Sequence, residues 1–292
     1  MIWKFCFLII GLWSCRESSF QHPVSETASV DALTTNEQSI KKDAIPLNNV
    51  TTIEKDTLKS NEVAPKRICG VLEMDYIMGK FDPAKNGCFE LVPASLADKS
   101  GLFLRKETLS AFKEMLEAAK KDGINLRIIS ATRNFEYQKG IWERKWSGQT
   151  KLEGNINASK ISNKKARAEK IMRYSAMPGA SRHHWGTDID INELNNKWFE
   201  SGTGKKVYDW LQTKGKEFGF YQVYTSKAAD NRAGYEEEKW HYTYKPVSAK
   251  LTNIARETMH DEHLSNFSGS EQAKQISVVQ KYVLGISEAC WK

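Results

Sequence analysis

The chain of 292 residues has few cysteines and, beyond its first residues, no long hydrophobic stretch. None of its five cysteines belongs to a C-x-x-C pair, so cysteine ligation of a structural metal is not expected. Outside residues 1–15, no apolar segment approaches the roughly 20 residues that a transmembrane helix needs. No internal repeat is visible, which argues against solenoid and propeller architectures.

The sequence also lacks any basic block, although its net charge is +7. Lys and Arg residues are interspersed with Asp and Glu, which argues against a nucleic-acid-binding surface. A modest positive charge suits an anionic surrounding such as a cell wall or acidic lipid. We therefore expect no nucleic acid partner.

The first 66 residues are interpreted as export and spacing segments. In residues 1–15, Lys4 precedes an apolar run typical of a secretory signal, and the run ends in Leu-Trp-Ser-Cys at Cys15. That ending resembles the bacterial lipoprotein processing box, and an ordinary signal peptide with an incidental cysteine is the alternative. Residues 16–66 are polar, with Phe20 as their one aromatic residue, and are expected to form a disordered tether. The sequence thus predicts an exported protein of the cell envelope or periplasm, lipid-anchored at Cys15.

The remaining chain is predicted to form one sizeable domain over 67–248 and a mostly helical extension over 249–292. Helical spacing covers 106–122, a segment that begins at Asn134 and includes Tyr137 on its inner face, and 207–218. Strand patterns cover 126–130, 187–192, 220–224 and 239–244. Strands without regular βαβ alternation predict an α+β fold with a small central antiparallel sheet and flanking helices.

Three cysteines fall within the predicted domain and its extension. Export permits a disulfide, and Cys69, Cys88 and Cys290 allow three pairings. A bond between Cys69 and Cys290 would join the two ends of the domain. The sequence does not choose among the three pairings.

Two short blocks carry the residues with the most chemistry. They are Ser-Arg-His-His-Trp-Gly-Thr-Asp-Ile-Asp at 181–190 and Glu-Lys-Trp-His at 238–241. Strand alternation places Asp190 opposite the core-facing isoleucines, and His241 opposite Trp240. Two adjacent strands would then present Asp190 and His241 to one metal ion, with His183 supplied by the preceding loop. Catalytic zinc sites keep three protein ligands and an open position, so this set predicts a hydrolase.

The two blocks resemble the signature of the VanY-type D-alanyl-D-alanine carboxypeptidases, zinc peptidases grouped with lysostaphin and the hedgehog domain. The segment Ser-Ala-Thr-Arg-Asn-Phe-Glu-Tyr-Gln at 130–138 is similar to the arginine segment of that family. The resemblance implies a hedgehog/D-Ala-D-Ala peptidase-like fold. It also implies one Zn²⁺ per chain, held by His183, Asp190 and His241, with Glu238 as general base.

The same resemblance implies the substrate-binding residues and the reaction. Arg133, Gln138 and Ser181 would hold the substrate, with the catalytic Arg133 near the reacting carbonyl or the terminal carboxylate. The implied reaction is removal of terminal D-Ala from peptidoglycan stem peptides by a zinc-activated water, without a covalent intermediate. Asp188 departs from the family, which often has Ala there, and is expected either to support a ligand or to alter substrate choice.

Two alternatives stay open at this point. A peptidoglycan endopeptidase or D,D-dipeptidase would use the same fold to cut another bond of the wall peptides. A non-catalytic zinc-containing module would bind the cell wall without cutting it. Such a module need not keep Glu238 or Arg133, and this chain has both.

Overall fold

The structure, a computed structural model, describes residues 65–292. The predicted signal peptide at 1–15, with Cys15, and all but the last two residues of the predicted tether at 16–66 lie outside the described residues. Export and lipidation therefore stay predictions. Within residues 65–292, no helix combines the length and apolar character needed to cross a membrane.

Within residues 65–292 the strands form three antiparallel sheets. Two are small hairpins, β1 (Arg67–Ile68) with β2 (Val71–Leu72) and β3 (Phe89–Leu91) with β4 (Phe103–Arg105). The central sheet contains β5 (Ile128–Ser130), β6 (Asp188–Ile191), β7 (Phe220–Gln222) and β8 (His241–Tyr244). Its strand order is β5-β6-β8-β7, and all its neighbours are antiparallel. The predicted small antiparallel sheet is confirmed.

Helices flank this sheet, which completes the predicted α+β fold. Within the described residues the α-helices are α1 (Glu73–Ile77), α2 (Lys106–Lys121), α3 (Phe135–Trp146), α4 (Lys164–Ile171), α5 (Gly202–Lys214), α6 (Lys227–Asp230), α7 (Lys245–Thr258) and α8 (Ala273–Ile276). Short 3₁₀ turns lie at Pro83–Lys85, Ala94–Leu96, Glu153–Asn155, Ala158–Lys160, Arg182–Trp185, Asn196–Glu200, Gly215–Phe218, Asp261–His263, Ser270–Gln272 and Glu288–Cys290, and a π turn lies at Val279–Val283.

The two faces of the central sheet have different roles. One face packs on α2 and α5, where the buried side chains include Ile128, Ile189, Ile191, Trp240, Tyr242, Leu109, Phe112, Val207 and Leu211. The opposite face presents the acidic side chains of β6 and the histidine of β8. The alternation predicted for these two strands is confirmed, because the isoleucines of β6 and the tryptophan that precedes β8 share the core face.

The C-terminal segment packs into a second hydrophobic cluster beside α3. Phe267 contacts Trp142 of α3 edge to face, with the ring centroids 6.0 Å apart, and the Trp142 indole N–H donates to the carbonyl of Ser268 at 2.8 Å. Helix α7 runs continuously across position 248, where the sequence analysis placed the end of the domain. The segment after α7 consists of short helical turns that support α3 from outside the sheet.

Helix α3 begins at the residue predicted from the sequence, but the set of residues on its buried face differs from the prediction at one position. The side chain of Asn134 caps the helix by accepting from the backbone N–H of Tyr137 at 2.9 Å. The prediction that Tyr137 lies on the inner face is wrong, since its side chain is 54% exposed. Gln138 occupies the inward position instead, because successive residues are rotated by about 100° around a helix. A polar residue facing inward is not visible in a hydrophobic pattern.

The disulfide joins Cys69 to Cys88, with the Cα atoms 5.9 Å apart. It ties the first hairpin to the start of β3. Cys290 is a free thiol, buried in the C-terminal segment, where its Sγ faces the carbonyl of Gln222. The two ends of the domain are therefore not joined by a disulfide.

Candidate metal centre

Strand register brings the predicted metal ligands together. Asp190 of β6 pairs with Ser130 of β5 on one side and with His241 of β8 on the other. His183 lies in the 3₁₀ turn just before β6. One ligand atom from each of His183, Asp190 and His241 lies within 4.8 Å of the others, and all three side chains are buried.

Gly186 shapes the turn that carries His183 towards the sheet. It ends the 3₁₀ turn in a left-handed conformation with φ of 74°. A Cβ at this position would lie 2.4 Å from the Phe89 ring. Glycine is therefore required both by the backbone angle and by the packing.

The surroundings of His183 fix which nitrogen faces the centre. Its Nδ1 lies 2.9 Å from the carbonyl oxygen of Ala131, which can only accept, so Nδ1 carries the proton. Nε2 is left with a free lone pair 3.5 Å from Asp190 Oδ1. Burial, assisted by the Arg133 guanidinium, lowers the pKa of His183 below its ordinary value. A neutral imidazole is the form that binds a metal.

The surroundings of His241 also select one nitrogen. Its Nε2 donates to Asp188 Oδ2 at 2.9 Å, which directs Nδ1 towards the other ligands. Nδ1 lies 3.7 Å from Asp190 Oδ1 and 3.0 Å from Glu238 Oε2. Burial alone would lower the pKa of His241, but the hydrogen bonds to Asp188 and Glu238 outweigh it and raise the pKa to about 9. Metal binding at Nδ1 therefore has to displace a proton.

Asp188 is the centre of a buried polar network behind His241. Its Oδ2 also accepts from Arg182 Nε at 3.1 Å, and its Oδ1 accepts from the hydroxyls of Thr187 (2.9 Å) and Thr243. Burial would raise the pKa of Asp188, yet the Arg182 guanidinium and His241 hold it below its ordinary value. This charged carboxylate orients His241, a predicted metal ligand, in an arrangement common behind protein metal ligands. Of the two roles expected for Asp188, the structure supports that of holding a ligand.

The three predicted ligands fit a metal ion such as Zn²⁺. His183 Nε2 and Asp190 Oδ1 are buried and have no hydrogen-bond partner among residues 65–292. Two ligand atoms bound tetrahedrally to one Zn²⁺ at about 2.0–2.1 Å are about 3.4 Å apart, and Asp190 Oδ1 lies 3.5 and 3.7 Å from the two histidine nitrogens. Burial would raise the pKa of Asp190, but His183, His241 and Arg133 lower it to about 2. Asp190 is therefore anionic at neutral pH, the state in which a carboxylate binds a metal.

Glu238 and Arg133 are adjacent to this group, Glu238 beside His241 and Arg133 beside Asp190. Glu238 is 6% exposed, and burial raises its pKa even though it accepts from His241. Arg133 Nη1 donates to Ser130 Oγ at 2.9 Å and lies 3.7 Å from Asp190 Oδ2. Its Nε is buried and unpaired within the described part of the chain. A carboxyl group with a raised pKa and a fixed guanidinium thus face the same space.

All the predicted site residues line one cavity of about 670 Å³. Gln138 is held by its amide N–H₂, which donates to the carbonyl of Ala176 at 2.8 Å, and its buried Oε1 has no partner within residues 65–292. Ser181 is 3% exposed and adjoins the turn that carries His183. Trp240 lines the cavity, whereas Trp185 is buried in the core and its indole N–H donates to the carbonyl of Ile77.

His184 does not face the cavity. Its Nδ1 donates to the carbonyl of Arg133, and its Nε2 accepts from the backbone N–H of Gly179 at 3.1 Å. Burial lowers its pKa to about 3, so the ring is neutral. His184 therefore ties the arginine segment to the histidine turn.

Several lining residues were not identified from the sequence. They are Lys145, Glu153, Tyr174, Ser175, Tyr224, Tyr235 and the loop 194–197. Ile141 and Lys145 lie three and seven residues after Gln138, on the same face of α3. Because Gln138 was predicted to bind substrate, this helical spacing was the signal in the sequence that could have identified them as lining residues. The others come from loops distant in sequence.

Three buried ligands with a spare carboxylate and an arginine in one cavity define a metal-dependent hydrolase type of site. The profile of the VanY family, described as D-alanyl-D-alanine carboxypeptidase, matches residues 101–247. The chain belongs to this family.

Individual relatives agree with the family match. The chain is 31% identical over 137 residues to a D-alanyl-D-alanine carboxypeptidase of Enterococcus faecalis, covering 47% of this chain and 46% of that protein. It is 29% identical over 201 residues to the Bacillus subtilis protein YodJ, covering 66% and 64% respectively. The chain thus spans less than two thirds of these relatives. A structure of VanYB in complex with D-Alanine-D-Alanine aligns at 26% identity and a TM-score of 0.41, covering 60% of this chain and 87% of that one.

Proposed function

We propose that this chain is a zinc peptidase that removes the terminal D-Ala from peptidoglycan stem peptides ending in D-Ala-D-Ala. The observation that carries the proposal is the cavity in which His183, Asp190 and His241 converge beside Glu238 and Arg133. Membership of the VanY family supports the choice of substrate class.

The residues of the cavity divide the chemistry among them. A Zn²⁺ bound by the three ligands would polarise the peptide carbonyl and lower the pKa of a water towards about 7. Glu238, with its raised pKa, accepts the proton of the attacking water at a carboxylate oxygen and later delivers it to the leaving amine. Arg133 places its guanidinium where negative charge develops on the carbonyl oxygen.

The size of the cavity agrees with a peptide substrate. Its volume of about 670 Å³ lies within the range of about 300–1,000 Å³ that is typical of small-molecule sites. Tyr174 and Trp240, with ring centroids 6.5 Å apart, supply an apolar wall. Gln138 Oε1 offers a buried acceptor that a substrate amide can satisfy.

The test uses the zinc-loaded protein and a stem pentapeptide ending in D-Ala-D-Ala, with the products identified by mass spectrometry. We expect loss of one D-Ala with wild type and a loss of activity of about 100- to 10,000-fold in Glu238→Gln, the usual range for general acid–base catalysis. The matched control is Glu237→Gln at the neighbouring, half-buried position, which is expected to retain activity.

Other outcomes separate the alternatives. Release of the D-Ala-D-Ala dipeptide, or cleavage at an internal bond of cross-linked wall, would assign the chain to the dipeptidases or endopeptidases. Bound zinc without cleavage of any wall peptide would contradict the enzymatic proposal and favour a wall-binding module.

We also propose that the protein is exported and held at the membrane by a lipid on Cys15, so that it works in the cell envelope. The apolar run and the Leu-Trp-Ser-Cys ending support this. Metabolic labelling with a radioactive fatty acid should mark wild type but not Cys15→Ser. A wild-type protein that is exported but unlabelled would favour the ordinary signal peptide.

A further inference from the structure

Lys145 is a cationic side chain inside the candidate substrate cavity. It lies two helical turns after Gln138 on α3, and it shares with Gln138 and Ile141 the face that lines the cavity. Its ammonium group donates to the hydroxyl of Ser175, which is itself buried and lines the same cavity. The side chain is thus anchored in the wall instead of extending into solvent.

Lys145 has no acidic partner within residues 65–292, unlike the two arginines beside the predicted metal-site residues. Arg182 is paired with Asp188 at 3.1 Å, and Arg133 lies 3.7 Å from Asp190. By contrast, no carboxylate oxygen of residues 65–292 lies within 4.0 Å of the Lys145 ammonium nitrogen. Lys145 is half-buried, and a cation partly removed from water without a counter-ion is unfavourable, so a bound anion would relieve that cost.

The electrostatics of Lys145 agree with this geometry. Burial lowers its pKa from the ordinary value, the Arg133 guanidinium adds to the decrease, and Glu238 opposes it. The Lys145 ammonium is therefore close enough to interact electrostatically with Arg133 and Glu238, the two charged residues to which we assign roles in the reaction. An anion bound at Lys145 would be part of the same ligand as the reacting peptide bond.

We propose that Lys145, supported by Ser175, binds a carboxylate of the peptide substrate and thereby selects which peptides enter the site. This inference rests on the proposed peptidase function. The carboxylate to which we assign Lys145 is the free C-terminal one, because Arg133 lies beside the metal ligand Asp190 and is thus placed at the reacting carbonyl. Acidic groups upstream of the scissile bond are the other source of the same chemistry. If the C-terminal carboxylate is the one bound, Lys145 makes the enzyme an exopeptidase.

The test compares three versions of one stem pentapeptide with the zinc-loaded full-length protein. The first has free carboxylates, the second has an amidated C-terminus, and the third has its upstream acidic groups amidated. The variants are Lys145→Met, which keeps the length of the side chain without its charge, and Lys145→Arg, which keeps the charge. Lys139→Met, on the same helix but outside the cavity lining, is the matched control.

We expect wild type to prefer the free C-terminus over its amide by about tenfold or more, the usual effect of a hydrogen bond between charged groups. Lys145→Met should lose about the same factor in kcat/KM on the free peptide, chiefly through KM, and should show no preference between free and amidated C-termini. Lys145→Arg should restore part of the preference, and Lys139→Met should behave as wild type. Amidation of the upstream groups should leave these ratios unchanged.

Each contrary result has a distinct meaning. A wild type that cleaves, together with a Lys145→Met protein that keeps the C-terminal preference, would overturn the inference and leave the proposed function standing. A preference that follows the upstream groups would overturn the assignment to the C-terminus. A wild type that cuts none of the three peptides would overturn the proposed function and this inference with it. If Lys145→Met unfolds, Lys145→Gln at the same position provides the same comparison.

Discussion

Replacing Asp188 with Asn tests whether the carboxylate behind His241 controls metal binding. In the structure Asp188 Oδ2 accepts from both His241 Nε2 and Arg182 Nε, and Oδ1 accepts from two threonine hydroxyls. An asparagine can place its amide oxygen at the Oδ2 position and its NH₂ towards the hydroxyls, which can rotate to accept. The substitution therefore removes the charge while largely keeping the shape and the hydrogen bonds.

Two consequences follow from the loss of that charge. Partners behind metal-binding histidines typically contribute 10- to 100-fold in affinity, so we expect zinc affinity to fall by about 1.4–2.8 kcal/mol. The Arg182 guanidinium, whose side chain is fully buried, also loses its counter-ion. Breaking a buried pair costs about 3–5 kcal/mol, so the unfolding temperature should fall as well.

The assay is a competition titration of metal-free protein with Zn²⁺ and a coloured chelator. It is run at pH 9.5, above the pKa of about 9 that the neighbouring carboxylates give His241, so that proton competition contributes little in either protein. Thr243→Val is the matched control, because it removes one hydroxyl from Oδ1 and leaves the bond between Asp188 and His241 intact. Near-ultraviolet circular dichroism checks that each variant is folded.

A folded Asp188→Asn protein that binds zinc as tightly as wild type would show that the charge behind His241 does not control metal binding. An equal loss of affinity in Thr243→Val would also contradict that role of the charge, since the loss would then come from general disturbance of the network. Loss in Asp188→Asn alone is the predicted result.

Three further predictions concern the scaffold around the site. Gly79→Ala places a Cβ 2.5 Å from the His184 ring at a residue with φ of +72°, and should destabilise the fold by about 1–3 kcal/mol in urea unfolding; an unchanged midpoint would show that the ring is free to move. Reduction of the Cys69–Cys88 disulfide, which closes a short loop with a sequence separation of 19, should cost about 3 kcal/mol, and equal midpoints with and without reductant would contradict this. Phe267→Ala removes a buried ring from the indole of α3 and should lower stability by about 3–5 kcal/mol, whereas a C-terminal segment that contributes little would give a much smaller change.

The parts of the fold that could be predicted are those with a clear period. Ile189 and Ile191 alternate with two aspartates, and this alone placed Asp190 on the face opposite the core. The antiparallel pairing of Asp190 with His241 then follows from two adjacent strands that share that face. The glycine that ends the histidine turn was visible in the sequence, although its contact with Phe89 was not.

The parts that could not be predicted depend on contacts between distant segments. The sequence left two roles open for Asp188, because only the strand pairing shows that its carboxylate reaches His241 Nε2. The choice of Cys88 as the partner of Cys69 depends on where β3 lies relative to the first hairpin, which no local pattern encodes. Lys145 has the spacing of an inner-face residue, but its lack of an acidic partner is a property of the folded cavity.

The most direct test of the central claim is a titration of chelator-stripped protein with Zn²⁺ by calorimetry, with His183→Ala and Asp190→Asn measured alongside. We expect one zinc ion per wild-type chain and a large loss of affinity in both variants, because each substituted side chain contributes an atom that faces the same point. Wild-type protein with no saturable zinc binding, or equal binding by wild type and both variants, would contradict it.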